Sequence, residues 1–222
     1  MLVGIIGKIG HGKDTVADFI RRNSETVYTV RRFADPLKEC VASILNCSVL
    51  DLEDRDFKER PLGPEWNTYT DGVSKFFNTR EEAEEAVAHL RQVTCVDHQV
   101  TEIVNTPRRM LQTLGTEWGR DIIHPNIWVN SLMGLYEQSR VNGPSNNYPD
   151  WLIPDVRFPN EAQAIKERGG LLIKVERPDG SDGDHISEKL VDILPYDRRI
   201  SNDTTLEDLE DKVRSLISEG VV

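Results

Sequence analysis

The stretch GKIGHGKDT near the amino terminus has the residue types and the GxxxxGK spacing of a phosphate-binding loop. It follows an apolar run and precedes a segment with helical periodicity, which is the context that such a loop requires. Glycines let successive backbone N–H groups turn toward one phosphate, and the start of the helix adds positive potential. Three glycines meet this demand: Gly7, Gly10 and Gly12. Lys13 would place an ammonium between the outer phosphates of a triphosphate, and Thr15 would cap the helix and offer its hydroxyl.

The loop departs from the strict pattern at Asp14, where a Ser or Thr would directly follow the lysine and bind magnesium. A lysine, then any residue, then Thr is typical of nucleotide monophosphate kinases, so Asp14 favours a small-molecule kinase over a switch or a motor. Two interpretations of its carboxylate stay open: a favourable charge in the first helical turn, or a contact to a magnesium-bound water. We interpret His11 as filling the outside of the loop.

A second group of charged residues lies farther along the chain. Arg108 and Arg109 begin a predicted helix, and Asp155 and Arg157 stand at the carboxyl end of a predicted strand. Ligands of doubly wound sheets collect at that edge, so these side chains are candidates for substrate contacts. An isolated arginine is more often a surface residue, and Trp128 taken alone is more typical of a core aromatic.

The elements that must position these residues alternate between strands and helices, which predicts a parallel sheet covered on both faces. Strands are predicted at Leu2 to Ile6 and in the stretches WLIPD and GLLIKVERP. Helices are predicted over residues 14–22 and 36–45 and in the stretches REEAEEAVAHLRQV, RRMLQTLGTEW, NIWVNSLMGLYEQS, NEAQAIKERGG and TTLEDLEDKVRSLI. Two of these helices have predicted apolar faces, Leu37, Val41, Ile44 and Leu45 in one and Leu206, Leu209, Val213, Leu216 and Ile217 in the other. A hairpin is predicted at Asp71 and Gly72, within an inserted region.

Composition narrows the class of protein. The chain has 222 residues, a net charge of −11 and 38% hydrophobic residues, as expected for one soluble globular domain. Its pI of about 5.0 argues against general binding to nucleic acid or to anionic lipid. It has neither an apolar run of about 18 residues nor a secretory signal, so we expect a cytoplasmic protein. Three cysteines lack metal-site spacing and are interpreted as reduced core thiols: Cys40, Cys47 and Cys95.

The chain resembles the deoxynucleoside monophosphate kinases of tailed bacteriophages, a branch of the P-loop nucleotide kinases. The matching stretches are GKIGHGKDTVADFI, PRRMLQTLGTEWGRDIIHPNIWVNSL, LIPDVRFPNEAQAIKERGGLLIKVERP and ISNDTTLEDLEDKV, spread over the whole chain. The resemblance implies a three-layer αβα P-loop domain, with an acceptor-side insertion at about residues 46–106. It also implies transfer of the γ-phosphoryl of ATP to a 5′-deoxynucleoside monophosphate (dNMP), with Mg²⁺, by a dimer in the cytoplasm of the host cell.

The resemblance also assigns residues to this reaction. Its phosphate-binding positions fall on Gly10, Gly12, Lys13, Asp14 and Thr15. Its acceptor positions fall on Arg108, Arg109, Gly115, Trp128, Asp155, Arg157 and Glu161, and further candidates are Lys8 and a basic residue of the inserted region, Lys58 or Arg60. Four of them are expected to act in phosphoryl transfer: Lys13, Arg109, Asp155 and Arg157. No direct protein ligand for the metal is predicted, and Asp14 would reach it through water.

The chemistry of phosphoryl transfer agrees with this set, because the reaction needs positioning and neutralisation of charge rather than a covalent intermediate. A general base is unnecessary, since the acceptor phosphate is already an anion at pH 7. Two alternatives stay open: a kinase of another phosphorylated small molecule, such as dephospho-coenzyme A, and a non-catalytic regulatory protein that binds a nucleoside triphosphate. Arg108, Arg109 and Arg157 argue against the regulatory protein, which would need no acceptor site.

Overall fold

The computed structural model describes residues 1–72, 76–94, 98–141, 148–178 and 190–222. The chain divides into two compact units, residues 1–36 with 126–222 and residues 37–125. The first unit contains β1 (Leu2–Ile6), α1 (Lys13–Asn23), β2 (Thr29–Val30), α6 (Ile127–Val141), β6 (Trp151–Val156), α7 (Pro159–Glu167), β7 (Leu171–Glu176), β8 (Arg198–Ser201) and α8 (Leu206–Ser218). The second contains α2 (Asp35–Leu45), whose first two residues belong to the first unit. It also contains α3 (Arg55–Glu59), β3 (Thr68–Thr70), β4 (Phe76–Phe77), α4 (Arg80–Thr94), β5 (Thr101–Ile103), α5 (Pro107–Gln112) and a π-helix (Thr113–Ile123).

The first unit is a parallel five-stranded sheet in the order β2-β6-β1-β7-β8, with helices on both faces. Alternate residues of the strands enter two cores. One core contains apolar residues of α6 and α7, and the other contains those of α1 and α8. Burial on both faces explains why the strands appear in the sequence as continuous apolar runs. The predicted parallel sheet and its three layers are confirmed.

The strand β6 contains a bulge at its carboxyl end. Ile153 pairs with Gly4 and Val156 pairs with Ile6, so Pro154 and Asp155 together lie opposite a single residue of β1. Proline has no N–H to give to the ladder, and it is tolerated inside a sheet at such an irregularity. A bulge bends the strand and changes the direction of the side chains that follow it. The predicted strand is therefore confirmed despite its proline, and the bulge falls at a candidate site residue.

Most of the predicted helices are confirmed, with differences at their ends and on their faces. The prediction that Ile44 and Leu206 face the core is wrong, because both side chains are largely exposed. The strands β2 and β8 were not predicted. β2 has only two residues, and β8 has the sequence RRIS with two exposed arginines, so neither shows the apolar pattern of a buried strand.

The second unit contains a three-stranded antiparallel sheet in the order β4-β3-β5. The predicted hairpin is confirmed, because β3 pairs antiparallel with β4 and is followed by Asp71 and Gly72. The segment after α5 was predicted as an α-helix but forms a π-helix, whose last turn closes with the bond from His124 N–H to Gly119 O. Such a long π-helix is rare, and the sequence has no periodicity that predicts it.

The cysteines differ from expectation. Cys40 and Cys47 are free, but Cys40 is exposed, since α2 turns Leu37 and Val41 inward and leaves Cys40 on the opposite side. The prediction of a core thiol is therefore wrong for Cys40, while Cys47 is half-buried. Cys95 lies outside the described residues. Among the helices described, none combines the length and the apolar character that crossing a membrane requires.

Candidate active site

The predicted phosphate-binding loop connects β1 to α1, and its glycines are required by backbone geometry. Gly10 has φ of +80° and Gly12 has φ of +91°, in the left-handed region that side chains rarely adopt. A Cβ on Gly7 would lie 2.8 Å from the carbonyl oxygen of Val175. Gly12 is the N-cap of α1, so the expectation that Thr15 caps this helix is wrong, because Thr15 lies inside its first turn. The loop therefore ends at the positive end of the helix. This geometry is that of an anion-binding loop.

Lys13 is folded into this loop. Its side chain is only 8% exposed, and its ammonium donates to the carbonyl oxygen of Lys8 at 2.8 Å. The loop therefore bends around a cation. The side chain of Lys8 itself pairs with Asp192, with 3.1 Å between Nζ and Oδ2. The role of Lys13 between the phosphates of a nucleotide stays a prediction.

His11 corrects one expectation about the loop. Its side chain is buried rather than on the outside, and its Nδ1 lies 3.2 Å from the carbonyl oxygen of Val175. Since Val175 belongs to β7, the contact attaches the loop to the neighbouring strand. His11 thus holds the loop in place.

Asp14 makes an ion pair that the sequence did not reveal. Its side chain is 75% exposed, and its Oδ1 lies 3.1 Å from the guanidinium of Arg32. Arg32 is the second residue after β2, and its backbone N–H donates to Oδ2 of Asp35 at 2.7 Å. The carboxyl ends of β1, β2 and β6 lie at one edge of the parallel sheet. Sequence reasoning missed Arg32 and Asp35, and the only signal for them was their position after a strand of two residues.

Asp155 is the second residue of the bulge in β6, at the same edge. Burial raises its pKa to about 6, against the opposing effects of Arg157 and Arg32, whereas Asp35 raises it further. The backbone N–H of Phe33 donates to the carboxyl group. Among the residues described, no partner reaches Oδ1, although this atom is buried. A buried carboxyl with a raised pKa and an open acceptor is typical of a functional site.

Arg157 and Glu161 form a rigid corner between β6 and α7. Glu161 is 3% exposed, and its carboxylate accepts from the backbone N–H groups of Arg157 at 2.8 Å and Phe158 at 3.1 Å. These bonds cap the helix and fix the backbone of Arg157. The guanidinium of Arg157 makes no hydrogen bond or ion pair with any residue in the described ranges. Glu161 thus holds Arg157 in position, and the guanidinium is available to a ligand.

The second unit contains the predicted acceptor arginines Arg60, Arg108 and Arg109. The guanidinium of Arg108 pairs with Glu59, whereas the side chain of Arg109 makes no hydrogen bond or ion pair within the described part of the chain. Arg60 directly follows Glu59 and lies over the ring of Phe57, 5.9 Å from its centroid. Because α3 packs against α5, these arginines belong to one region of that unit.

Two predicted acceptor residues have structural explanations of their own. Gly115 lies in the π-helix, and a Cβ there would approach Leu37 Cδ2 to 2.8 Å, so glycine permits close packing on α2. Trp128 is buried at the start of α6 in the first unit. Lys58 is half-buried in α3. The first unit therefore brings the loop, Asp155 and Arg157 to one sheet edge, and the second contains the remaining cationic candidates.

A parallel sheet with this loop between its first strand and first helix defines the P-loop nucleotide-binding class. Residues 65–213 match the family of deoxynucleotide monophosphate kinases. The chain is 32% identical over 195 residues, 77% of its length and 74% of the relative's, to deoxynucleoside-5′-monophosphate kinase of Escherichia phage T5. It is 26% identical over 247 residues, 97% of its length and 98% of the relative's, to deoxynucleotide monophosphate kinase of Enterobacteria phage T4. A mimivirus protein provisionally given the same name is 31% identical over 229 residues, 99% of this chain and 97% of the relative. The chain belongs to the deoxynucleotide monophosphate kinase family and is a kinase.

Proposed function

We propose that this kinase transfers the γ-phosphoryl group of ATP to the phosphate of a 5′-dNMP, giving ADP and a deoxynucleoside diphosphate. The observation that carries the proposal is the loop bent around the buried ammonium of Lys13, within a chain of this family. The guanidinium groups of Arg109 and Arg157 have no ion-pair partner among the described residues, which supports an anionic acceptor. Family membership favours this reaction over a dephospho-coenzyme A kinase or a regulatory protein.

The loop would hold the phosphates of ATP. The left-handed backbone at Gly10 and Gly12 lets N–H groups converge, and α1 adds the positive end of its dipole. The ammonium of Lys13 would exchange the carbonyl of Lys8 for phosphate oxygens and stabilise the charge that develops during transfer.

The acceptor would be held by cations and needs no general base. One oxygen of its phosphate attacks the γ-phosphorus while the bond to the β-γ bridging oxygen breaks, and ADP leaves with that oxygen. Arg157 would neutralise charge on the transferring group, since its planar fork can hold two oxygens at once. Arg109 would hold the acceptor phosphate, and Oδ1 of Asp155 would accept a hydrogen bond from the bound substrates.

The residues near the loop fit Mg²⁺, which prefers oxygen ligands. The exposed carboxylate of Asp14 follows Lys13 and would reach Mg²⁺ through a bound water, while the hydroxyl of Thr15 would contact a phosphate. When bound, Mg²⁺ neutralises charge on the phosphate oxygens. We also propose a homodimer in the cytoplasm, with light scattering of the purified protein as the test of the dimer.

The reaction is tested by following ADP release from ATP and Mg²⁺. The four deoxynucleoside monophosphates should each be compared with the matching free deoxynucleoside and with no acceptor. We expect release with at least one monophosphate and none with free deoxynucleosides, because cations that meet no phosphate stay unpaired. Equal release without an acceptor would indicate a nucleotide-binding ATPase and refute the proposal.

A further inference from the structure

We propose that Asn202 is a positioning residue of the phosphate-binding loop, acting through its side-chain amide. Asn202 directly follows β8, and its Nδ2 donates a hydrogen bond to the carbonyl oxygen of His11 at 3.0 Å. This bond joins two segments that are 191 residues apart in the sequence. The inference rests on the proposed use of this loop for ATP.

The backbone segment that carries the amide of Asn202 is itself fixed by hydrogen bonds and an ion pair. Its backbone N–H donates to the carbonyl oxygen of Glu176 at 2.7 Å. The carbonyl of the preceding residue, Ser201, accepts from the ammonium of Lys212 at 2.7 Å, and the same ammonium pairs with Asp203 at 2.9 Å. The strand β7 and the helix α8 therefore fix the segment that carries the amide.

On the loop side, the bond falls on the peptide that directly precedes α1. The N–H of Gly12 belongs to the same peptide plane as the carbonyl of His11, and in a trans peptide the two point in opposite directions. When Asn202 holds the carbonyl, the N–H of Gly12 is directed away from Asn202. Inward N–H groups are what such a loop offers to phosphate. The side-chain contact of His11 with Val175 anchors the same residue a second time.

The contact between Asn202 and the loop is also close. A Cβ on Gly12 would lie 2.7 Å from Nδ2 of Asn202, so the amide lies directly against the glycine. Glycine has the freest backbone of all residues, and without the amide this peptide can rotate. A loop that must be ordered upon binding loses affinity for its ligand. Removal of the amide should therefore weaken ATP binding and leave the acceptor site unchanged.

Asn23 offers a matched control at the other end of α1. Its Nδ2 donates to the carbonyl oxygen of Phe19 and to Glu210 of α8, both at 2.9 Å. Asn23→Ala therefore also removes a half-buried amide, but far from the loop along the helix. The test compares Asn202→Ala with Asn23→Ala in melting temperature, in the Kd for ATP measured by calorimetry without acceptor, and in the KM for dNMP.

We expect both variants to lose stability and only Asn202→Ala to raise the Kd for ATP, by about tenfold or 1.4 kcal/mol. Its KM for dNMP should stay within about twofold of wild type. An unchanged Kd for ATP in Asn202→Ala, or an equal rise in both variants, would overturn the inference. If Asn202→Ala is insoluble, Asn202→Ser retains a shorter donor and should change the Kd in the same direction. A wild-type protein that binds ATP but phosphorylates no dNMP would refute only the proposed function.

Discussion

Asp155 should make the protein less stable as the pH rises through the range in which this carboxyl titrates. Its pKa is about 6 in the folded protein, against an ordinary value of 3.8, because burial outweighs the nearby Arg157 and Arg32. The folded state therefore binds more protons than the unfolded state between about pH 4 and pH 6, and the free energy of unfolding falls as pH rises there. Ionisation of this one group costs about 3 kcal/mol at pH 7.

The variant Asp155→Asn has nearly the same size and cannot ionise. Its free energy of unfolding relative to wild type should rise by about 2 kcal/mol between pH 4 and pH 7. The comparison of two pH values cancels any fixed cost of placing an amide there. Urea unfolding followed by tryptophan fluorescence at each pH measures this difference, provided that the transition is two-state.

Asp203→Asn supplies a control of opposite sign. Hydrogen bonds from Ser201 and Lys212 lower the pKa of Asp203 to about 2, so its contribution to stability is lost as pH falls toward that value. Relative to wild type, Asp203→Asn should become less stable as pH rises from 3 to 5. If the Asp155→Asn difference stays constant within about 0.5 kcal/mol from pH 4 to pH 7, Asp155 titrates as an ordinary carboxyl and the reasoning about its burial is refuted.

Three further predictions concern the cationic groups. Lys13→Met should keep the wild-type melting temperature and lose most activity, because the ammonium stabilises charge that moves between phosphate oxygens; a steady-state rate within about threefold of wild type would contradict the loop assignment. Arg157→Lys should lower kcat by on the order of a hundredfold, about 2.7 kcal/mol, with a much smaller change in ATP affinity. Loss of thermal stability with normal turnover would instead give Arg157 a structural role. Arg109→Ala should raise the KM for dNMP by about tenfold or more, whereas Arg108→Ala should change it by less than about threefold, because Arg108 forms a surface pair with Glu59. Equal effects of the two alanine variants would show that this distinction is wrong.

The phosphate-binding loop was predictable because its requirements are local. Left-handed backbone at Gly10 and Gly12, a strand before the loop and a helix after it leave their signals within a few adjacent residues. The locations of Lys13 and Asp14 at the start of the helix follow directly from the position of the loop in the sequence. The central strands were predictable for a similar reason, since burial on both faces makes each of them mostly apolar.

Residues that reach the sheet edge from short strands were not predictable. Arg32 and Asp35 follow the two-residue β2, and Asn202 follows the charged edge strand β8. Neither strand has an apolar run that would predict it, because an edge strand shares little of the core and only Ile200 of β8 is buried. Their positions result from strand pairing between distant parts of the chain, which one sequence does not display. The π-helix was missed because its apolar residues also suit an α-helix.

The bulge at Pro154 and Asp155 interrupts the alternation of side chains along β6, so the residues before the bulge and those after it alternate independently. Upstream of it, Leu152 and Ile153 must alternate between the two cores, so their order is set by packing. Within the bulge, the direction of Asp155 is set by the extra residue and not by the alternation of side chains between the two cores. Substitutions that repack the cores can therefore accumulate in this strand without turning the carboxyl group away from the sheet edge. Deletion of Pro154, in contrast, would restore a regular register with Asp155 opposite Ile5 and would change the direction of its carboxyl group.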